Sequence, residues 1–261
     1  MNLEYDVKYK LRPSGASRWL ACPASLVLEE RVPVVKRNDM IPAYLGSATH
    51  ELLEKCIKEE KSPEKFRGES IEVFDEEAMD FPYTISVNQK MIDTVNFFLS
   101  EVGIPAKDSE VYSELKMEHS EIPELRGTAD YVCVSGTHAL LADLKNGRSV
   151  VQVKNRKGEV NPQLLCYACL LKDRFPDIET ITIAVIQPNG TTKLKTRSTG
   201  LDIDAVKKHL YRVKQTAKIA DEVSEDRMEA IAKEGSHCFW CRAKNICAVR
   251  GRKELNRDFG E

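Results

Sequence analysis

The chain has 261 residues, 42% of them hydrophobic and 31% charged, with 39 basic and 41 acidic side chains and a formal net charge of −2. These proportions are ordinary for a globular protein, and the length fits one enlarged domain or two small ones. The longest apolar runs, 140–142 and 181–186, are too short to cross a bilayer, and residues 1–10 lack the apolar stretch of a signal peptide, so a cytoplasmic location is expected.

Taken in chain order, Pro13, Ser14 and Gly15 mark a turn, and residues 17–21 read as one or two helical turns ending at Cys22–Pro23. A loop is expected over 31–42. Leu45, Leu52, Leu53, Cys56 and Ile57 predict a helix over 43–60. The acidic stretch 61–82 reads as a surface loop, and the spacing of Ile85, Met91, Ile92, Val95, Phe98 and Leu99 predicts an amphipathic helix over 83–101. Strands follow at 111–117, 127–134 and 138–145, with a hairpin closed by Gly136 and a short strand at 150–153. Pro162 opens a helix that runs to about residue 175. The apolar run in 179–187 predicts a strand covered on both faces, paired with 193–197. A charge-rich helix over 202–234 precedes the cysteine cluster. The expectation is one domain over 1–261, with a central mixed sheet flanked by helices and a core over 43–200.

Chemistry concentrates in two places. On the strand ending near 145, Ala139, Leu141, Asp143 and Lys145 share one face and Leu140, Ala142 and Leu144 the other. A carboxylate and an ammonium against a core are costly unless something compensates them. In isolation D-x-K is equally a salt bridge at a strand end. The run R-G-T-A-D over 126–130 places Asp130 one hairpin away. Two carboxylates and the Leu144 carbonyl would make an oxygen-rich shell for Mg²⁺ or Mn²⁺, with Glu114 on the preceding strand able to contribute. His50 stands out because Gly46, Ser47 and Ala48 keep its helix slim, and Glu54 is placed to steady the edge of the site. Gln163 and Tyr167 share a helix face.

The second place is the cysteine set. Cys238, Cys241 and Cys247 form C-F-W-C-R-A-K-N-I-C, and Cys22 lies more than 200 residues upstream. In a reducing cytoplasm metal ligation is the better reading than disulfides, and four thiolates suit zinc or an iron–sulfur cluster equally by ligand type. Such a centre would tie the two ends of the chain together, with Trp19, Phe239 and Trp240 read as shielding it and contact with DNA bases as the alternative. Cys56, Cys133, Cys166 and Cys169 read as buried and structural.

The ordered set His50, Glu114, Asp130, Asp143-x-Lys145 and Gln163-x-x-x-Tyr167, with the P-S-G-A-S-R-W-L-A-C-P opening, strongly resembles the RecB-like branch of the PD-(D/E)-x-K nucleases over residues 12–247. The terminal cysteines are similar to those of its iron–sulfur subgroup, which includes the CRISPR adaptation nucleases, AddB-type nuclease domains and phage members. That resemblance implies a restriction-endonuclease-like α/β core, with His50, Asp130 and Asp143 as metal ligands, to which the oxygen-rich shell adds the Leu144 carbonyl. It implies Lys145 as the catalytic lysine, with Glu114, Gln163 and Tyr167 assisting. It also implies a 4Fe–4S cluster on Cys22, Cys238, Cys241 and Cys247. The function it implies is a Mg²⁺- or Mn²⁺-dependent DNA exonuclease acting on single strands or ends in phage-type recombination, inside bacterial cytoplasm, alongside recombination partners. Ring-forming relatives make an oligomer compatible with the sequence. The alternative is a non-catalytic DNA-binding or assembly subunit that keeps the fold.

Overall fold

A computed structural model describes residues 9–32, 41–73, 83–222 and 231–250. The N-terminal segment forms a 3-10 turn at Pro13–Gly15 and two short helices, α1 (Ala16–Ala21) and α2 (Ala24–Glu30). Helix α3 (Ile41–Glu59) follows, then a two-stranded antiparallel pair, β1 (Ser70–Val73) with β2 (Tyr83–Ser86). Helix α4 (Gln89–Val102) leads into β3 (Glu110–His119), β4 (Ile122–Ser135) and β5 (His138–Leu144). Helix α5 (Pro162–Arg174) crosses to β6 (Thr180–Ile186), and β7 (Thr196–Leu201) and α6 (Ile203–Glu222) complete the domain. The C-terminal segment carries 3-10 turns at Ser236–Phe239 and Arg242–Asn245.

The five strands from β3 to β7 lie in sequence order in one mixed sheet. Only β5 and β6 run parallel, joined by α5 as the crossover, and the other neighbours are antiparallel. One face packs under α1, α5 and α6 through Trp19, Leu141, Leu164, Ile183, Val206 and Val213. The other packs under α3 and α4 through Leu52, Ile92, Phe98, Ala142, Leu144 and Ile186. The split between Leu141 and Ala142 follows the period of two along a strand. Strand β6 feeds both layers, as its unbroken apolar run predicts.

Most expected elements stand within a few residues of their places. The helix expected over 83–101 begins only at Gln89, because Tyr83–Ser86 pairs with Ser70–Val73 and the Asn88 side chain accepts the Met91 N–H as an N-cap. The stretch 61–82, read as loop, therefore holds one strand and a 3-10 turn at Pro63–Phe66 in its described part. No strand forms over 150–153. That loop is closed by a single Lys154–Val160 bridge. The strand expected over 193–197 lies at Thr196–Leu201, and the helix expected over 202–234 is described as far as Glu222. Residues 33–40 of the expected loop and 74–82 lie outside the described residues. Among the described residues no helix is long and apolar enough to cross a membrane.

Candidate metal centre at a fork in the sheet

The ladder between β4 and β5 runs from Ser135–His138 to Tyr131–Ala142 and stops there. The next residues on that register are Asp130 and Asp143. Strand β5 nevertheless continues beside β6 through Leu144–Ile186, and the Lys145 N–H donates to the Ile186 carbonyl at 2.9 Å. The two strands thus part at the pair of aspartates. The Leu144 N–H, which leaves the ladder at that point, donates instead to Asp130 Oδ2 at 2.6 Å. A side-chain carboxylate replaces a backbone acceptor and caps the fork.

A second irregularity faces it. Glu114 lies between the pairs Ser113–Tyr131 and Leu115–Ala129, opposite Asp130, and has φ of +47°. That left-handed conformation is costly for a side chain with a Cβ and tends to persist only where its surroundings fix it. Side-chain alternation reverses here on both strands. Tyr112, Leu115 and Met117 reach the α5 layer, as do Ala129 and Val132, while Val111 and Tyr131 reach the α3 layer. Glu114 and Asp130 occupy the seam between the two layers.

His50 approaches the seam from α3. Its Nδ1 lies 3.2 Å from Asp130 Oδ1 and 3.4 Å from Glu114 Oε1. Ligand atoms of His50, Glu114 and Asp130 all lie within 4.8 Å of one another. The slimness of Gly46 has no part in this, since a Cβ there would meet nothing within 4 Å. Helix α3 is held instead by burial of Ala48, Leu52 and Leu53 on the next turns. Glu54 lies one turn on from His50. It pairs with Lys58 one turn along the helix.

From the opposite layer come Asp143, Lys145, Gln163 and Tyr167. Lys145 Nζ lies 3.0 Å from Asp143 Oδ1, and Gln163 Nε2 donates to the same oxygen at 3.3 Å. Asp143 is 4% exposed, and its Oδ2 is buried with no hydrogen-bond partner among the described residues. An orphaned buried carboxylate oxygen beside three convergent ligands fits a divalent cation. Asp143 itself lies outside the tight His50–Glu114–Asp130 set, because Lys145 and Gln163 draw its Oδ1 toward α5. Glu114, expected only as a contributor, stands inside the set.

The charges are strongly coupled. Burial disfavours the His50 imidazolium, but Asp130 and Glu114 outweigh it and raise its pKa to about 10. Burial likewise opposes ionisation of Asp130, yet His50, Lys145 and the Leu144 N–H hold its pKa below the usual value. Asp143 goes the other way: burial and repulsion from Asp130 lift it to about 6 against the pull of Lys145. The Lys145 ammonium is disfavoured by burial but raised overall by Asp143 and Asp130. Burial and both aspartates push the Tyr167 phenol up, so it remains a hydrogen-bond donor at neutral pH.

Two polar networks that sequence reasoning missed hold the fork. Asn146 Nδ2 donates to Thr49 Oγ1 at 3.2 Å, and Asn189 Nδ2 reaches Asn146 Oδ1 at 2.8 Å and Thr94 Oγ1 at 3.2 Å. These bonds join α3, α4 and the loops that leave β5 and β6. Fully buried Gln187 donates to the carbonyls of Gly147 and Ser149 at 2.8 and 2.7 Å and accepts from Val151 N and Arg197 Nη2. It clamps the loop that follows Lys145. The signals were the Asn directly after D-L-K and the Q-P-N-G run directly after an apolar strand.

The described cysteines divide by environment. Cys56, Cys166 and Cys169 are buried, as expected, and Cys133 is half-buried. The N- and C-terminal segments do meet: the Lys233 N–H donates to Cys22 Sγ at 3.4 Å, and the Lys233 carbonyl lies 4.0 Å from Cys238 Sγ. The four thiols are not drawn into one tight ligand set there. Trp19 is fully buried, and its indole donates to the Arg12 carbonyl at 3.0 Å. Phe239 and Trp240 are exposed rather than folded over a centre.

The family model described as "Protein of unknown function (DUF2800)" matches residues 9–261, and the chain belongs to that family. Among solved structures, one titled "Crystal structure of SSO0001" is similar at 14% identity, covering 87% of this chain and 95% of the other with a TM-score of 0.32.

Proposed function

We propose that this member of the DUF2800 family is a divalent-metal-dependent deoxyribonuclease that hydrolyses phosphodiester bonds of single strands or DNA ends, working in a cytoplasm. One observation carries the reading: His50, Glu114 and Asp130 converge within 4.8 Å beside the Asp143–Lys145 pair, at a fork where two strands part. A Mg²⁺ or Mn²⁺ held by His50, Glu114 and Asp130, with Asp143 and the Leu144 carbonyl at its border, would polarise a phosphodiester and acidify a bound water.

The protein's own groups have defined tasks. Lys145 keeps a fixed positive charge beside Asp143, where it stabilises negative charge that builds on the phosphate and orients the attacking water. Gln163 fixes Asp143 Oδ1 from α5. Tyr167 offers a proton to a phosphate oxygen, since burial and both aspartates keep its phenol protonated. The Leu144–Asp130 bond sets the width of the fork. A 4Fe–4S cluster on Cys22, Cys238, Cys241 and Cys247 would be structural and would fasten the N-terminal segment to the C-terminal one. The approach of Cys22 and Cys238 to the same residue, Lys233, supports it.

The test is cleavage of 5′- and 3′-labelled single- and double-stranded DNA with Mg²⁺ or Mn²⁺, with circular single strands separating exonuclease from endonuclease action. Lys145→Met should lower the rate by about 10²- to 10³-fold, the scale of losing one charge-stabilising group. Unchanged cleavage by Lys145→Met and Asp143→Asn would remove this site from the chemistry. DNA binding without cleavage under either metal would favour the non-catalytic alternative.

A further inference from the structure

The crossover loop from β5 to α5 departs from the charge balance of the chain. Residues 146–161 carry Arg148, Lys154, Arg156 and Lys157 against one carboxylate, Glu159, in a protein of formal net charge −2. All four cations are exposed, and none forms an ion pair among the described residues. Elsewhere on the surface Lys55, Lys58, Lys61, Lys207, Lys214 and Lys218 each have a carboxylate within 4 Å. The loop after β6, residues 187–195, has no carboxylate and adds exposed Lys193. The two loops touch, because the Thr191 N–H donates to the Arg148 carbonyl at 3.1 Å.

The basic loop is built rather than merely tethered. Val153 is buried in the α5 layer, and Val151 and Val160 pack against it. Lys154 bridges Val160, and the Asn155 N–H donates to the Glu159 carbonyl at 2.9 Å. Asn155 Oδ1 accepts the N–H groups of Lys157 and Glu159 at 2.9 and 3.0 Å, and Gly158 closes the turn with φ of +78°. The Glu159 carboxylate is itself taken up by Asn155 Nδ2 at 2.6 Å. Valines thus anchor the loop while its cations stay in water. Both ends return to the fork: Lys145, just before the loop, and Gln163, just after it, contact Asp143 Oδ1 at 3.0 and 3.3 Å. No large apolar side chain in 146–161 is exposed, so the loop lacks the aromatic or aliphatic anchors of a protein interface. Unpaired cations on a hydrogen-bonded turn match a run of phosphates instead.

We infer that the β5–α5 crossover loop is a phosphate-backbone clamp, in which Arg148, Lys154, Arg156 and Lys157 hold a nucleic-acid strand beside the metal centre. It rests on the nuclease reading and extends it to the strand flanking the cut. The backbone chemistry is common to DNA and RNA, so both are probed.

The experiment measures binding of fluorescein-labelled dT12 and rU12 to the full chain, without added divalent cation, by anisotropy over a salt series. The triple variant Lys154→Ala, Arg156→Ala, Lys157→Ala removes exposed side chains only. It should lower the slope of log affinity against log salt by about 2, roughly 0.7 for each phosphate no longer neutralised, and weaken binding on the order of 10²-fold at 0.1 M salt. The control Lys207→Ala, Lys208→Ala, Lys214→Ala takes the same charge from α6 and should change both far less. Equal weakening for dT12 and rU12 in the loop variant assigns the clamp to the shared backbone, and weakening confined to one assigns that nucleic acid. Unchanged affinity and slope in the loop variant would overturn the inference, as would equal losses in the control or tighter binding of an oligoglutamate peptide than of either oligonucleotide. Cleavage separates the two readings: the loop variant should raise KM while leaving kcat within about twofold. A protein that cuts with the loop variant unaffected in binding and KM sinks the clamp alone. One that binds through the loop but never cuts sinks the catalytic reading alone.

Discussion

His50, Glu114 and Asp130 are delivered by one long helix and two strands paired over nine registered positions, whereas Cys22, Cys238, Cys241 and Cys247 sit at the end of a six-residue helix and around two 3-10 turns. At the fork, ladder hydrogen bonds and two packed layers bring the three residues together, and the pairing of His50 with both carboxylates adds to that framework. The N-terminal segment packs into the core through Leu11, Trp19 and Leu26, but in the C-terminal segment little apolar surface supports the backbone. Cys241 and Ala243 are the buried apolar side chains in the described C-terminal segment, and much of the rest is held by Glu29 with Arg18 and Arg242. Ion pairs of this kind contribute little net stability. Two proposed metal sites in one chain therefore relate differently to folding: one would be preformed, while the other would draw its folding energy from the centre itself.

The largest effect should come from breaking the second. Replacing Cys238 and Cys241 by serine should abolish bound iron and sulfide in anaerobically purified protein. Closure of a loop of more than 200 residues is worth about 5 kcal/mol in the chain-entropy picture, so melting should fall on the order of 10 °C. Hydrogen exchange should show residues 231–250 losing protection while β4, β5 and β6 keep theirs. Stoichiometric zinc in place of iron would replace the cluster, and an unchanged melting temperature would erase the contrast between the two regions.

This contrast also marks how far the sequence could be read. The period-two alternation of 139–145 put Asp143 and Lys145 on one face, and the contact at 3.0 Å agrees. Helical spacing put Gln163 and Tyr167 on the side of α5 that faces them. Those residues were legible because regular elements project side chains with a fixed period. The fork was not, because it is a departure from period. Nothing in R-G-T-A-D or in the neighbourhood of Glu114 signals that alternation reverses there or that Glu114 takes a positive φ. Its cause is tertiary: β5 must stay with β6 while β4 stays with β3. The Asn146–Asn189 and Gln187–Arg197 networks escaped notice for a related reason, since each joins loops distant in sequence. At the cysteine end, spacing named candidate ligands but carried no information on how two irregular segments fold against each other.

A smaller effect tests the layer between the two regions. His209 on α6 is buried, with Nε2 3.3 Å from Cys166 Sγ on α5 and Nδ1 unpartnered among the described residues. Burial, aided by Arg212, lowers its pKa from 6.5 to about 4. Between those values the unfolded chain binds a proton that the folded chain refuses, so stability falls as pH drops from about 6.5 to 4, by about 3 kcal/mol at most. Asp143, raised to about 6, acts in the opposite sense over part of that window. The informative quantity is therefore the difference between the parent and His209→Gln in denaturant midpoints at pH 7 and pH 5. The variant should lose less stability on acidification, and equal losses would show that this imidazole does not titrate as its burial demands.

The smallest change addresses the joint itself. Gly127 is where the N-terminal turn, through Pro13, touches helix α5, through Tyr167. An alanine there would place its Cβ within 3.0 Å of two rings, each fixed to a rigid backbone, so one or both must move. Overpacking of this kind costs about 1–3 kcal/mol. Gly200 on β7 is the matched control, because a Cβ there meets nothing within 4 Å. Gly200→Ala should leave melting nearly unchanged. Gly127→Ala should lower melting by several degrees. On the nuclease reading it should also slow cleavage, since Tyr167 would shift with Pro13. A lowered melting temperature with unchanged cleavage would mean that the N-terminal turn and the fork are neighbours without a mechanical connection.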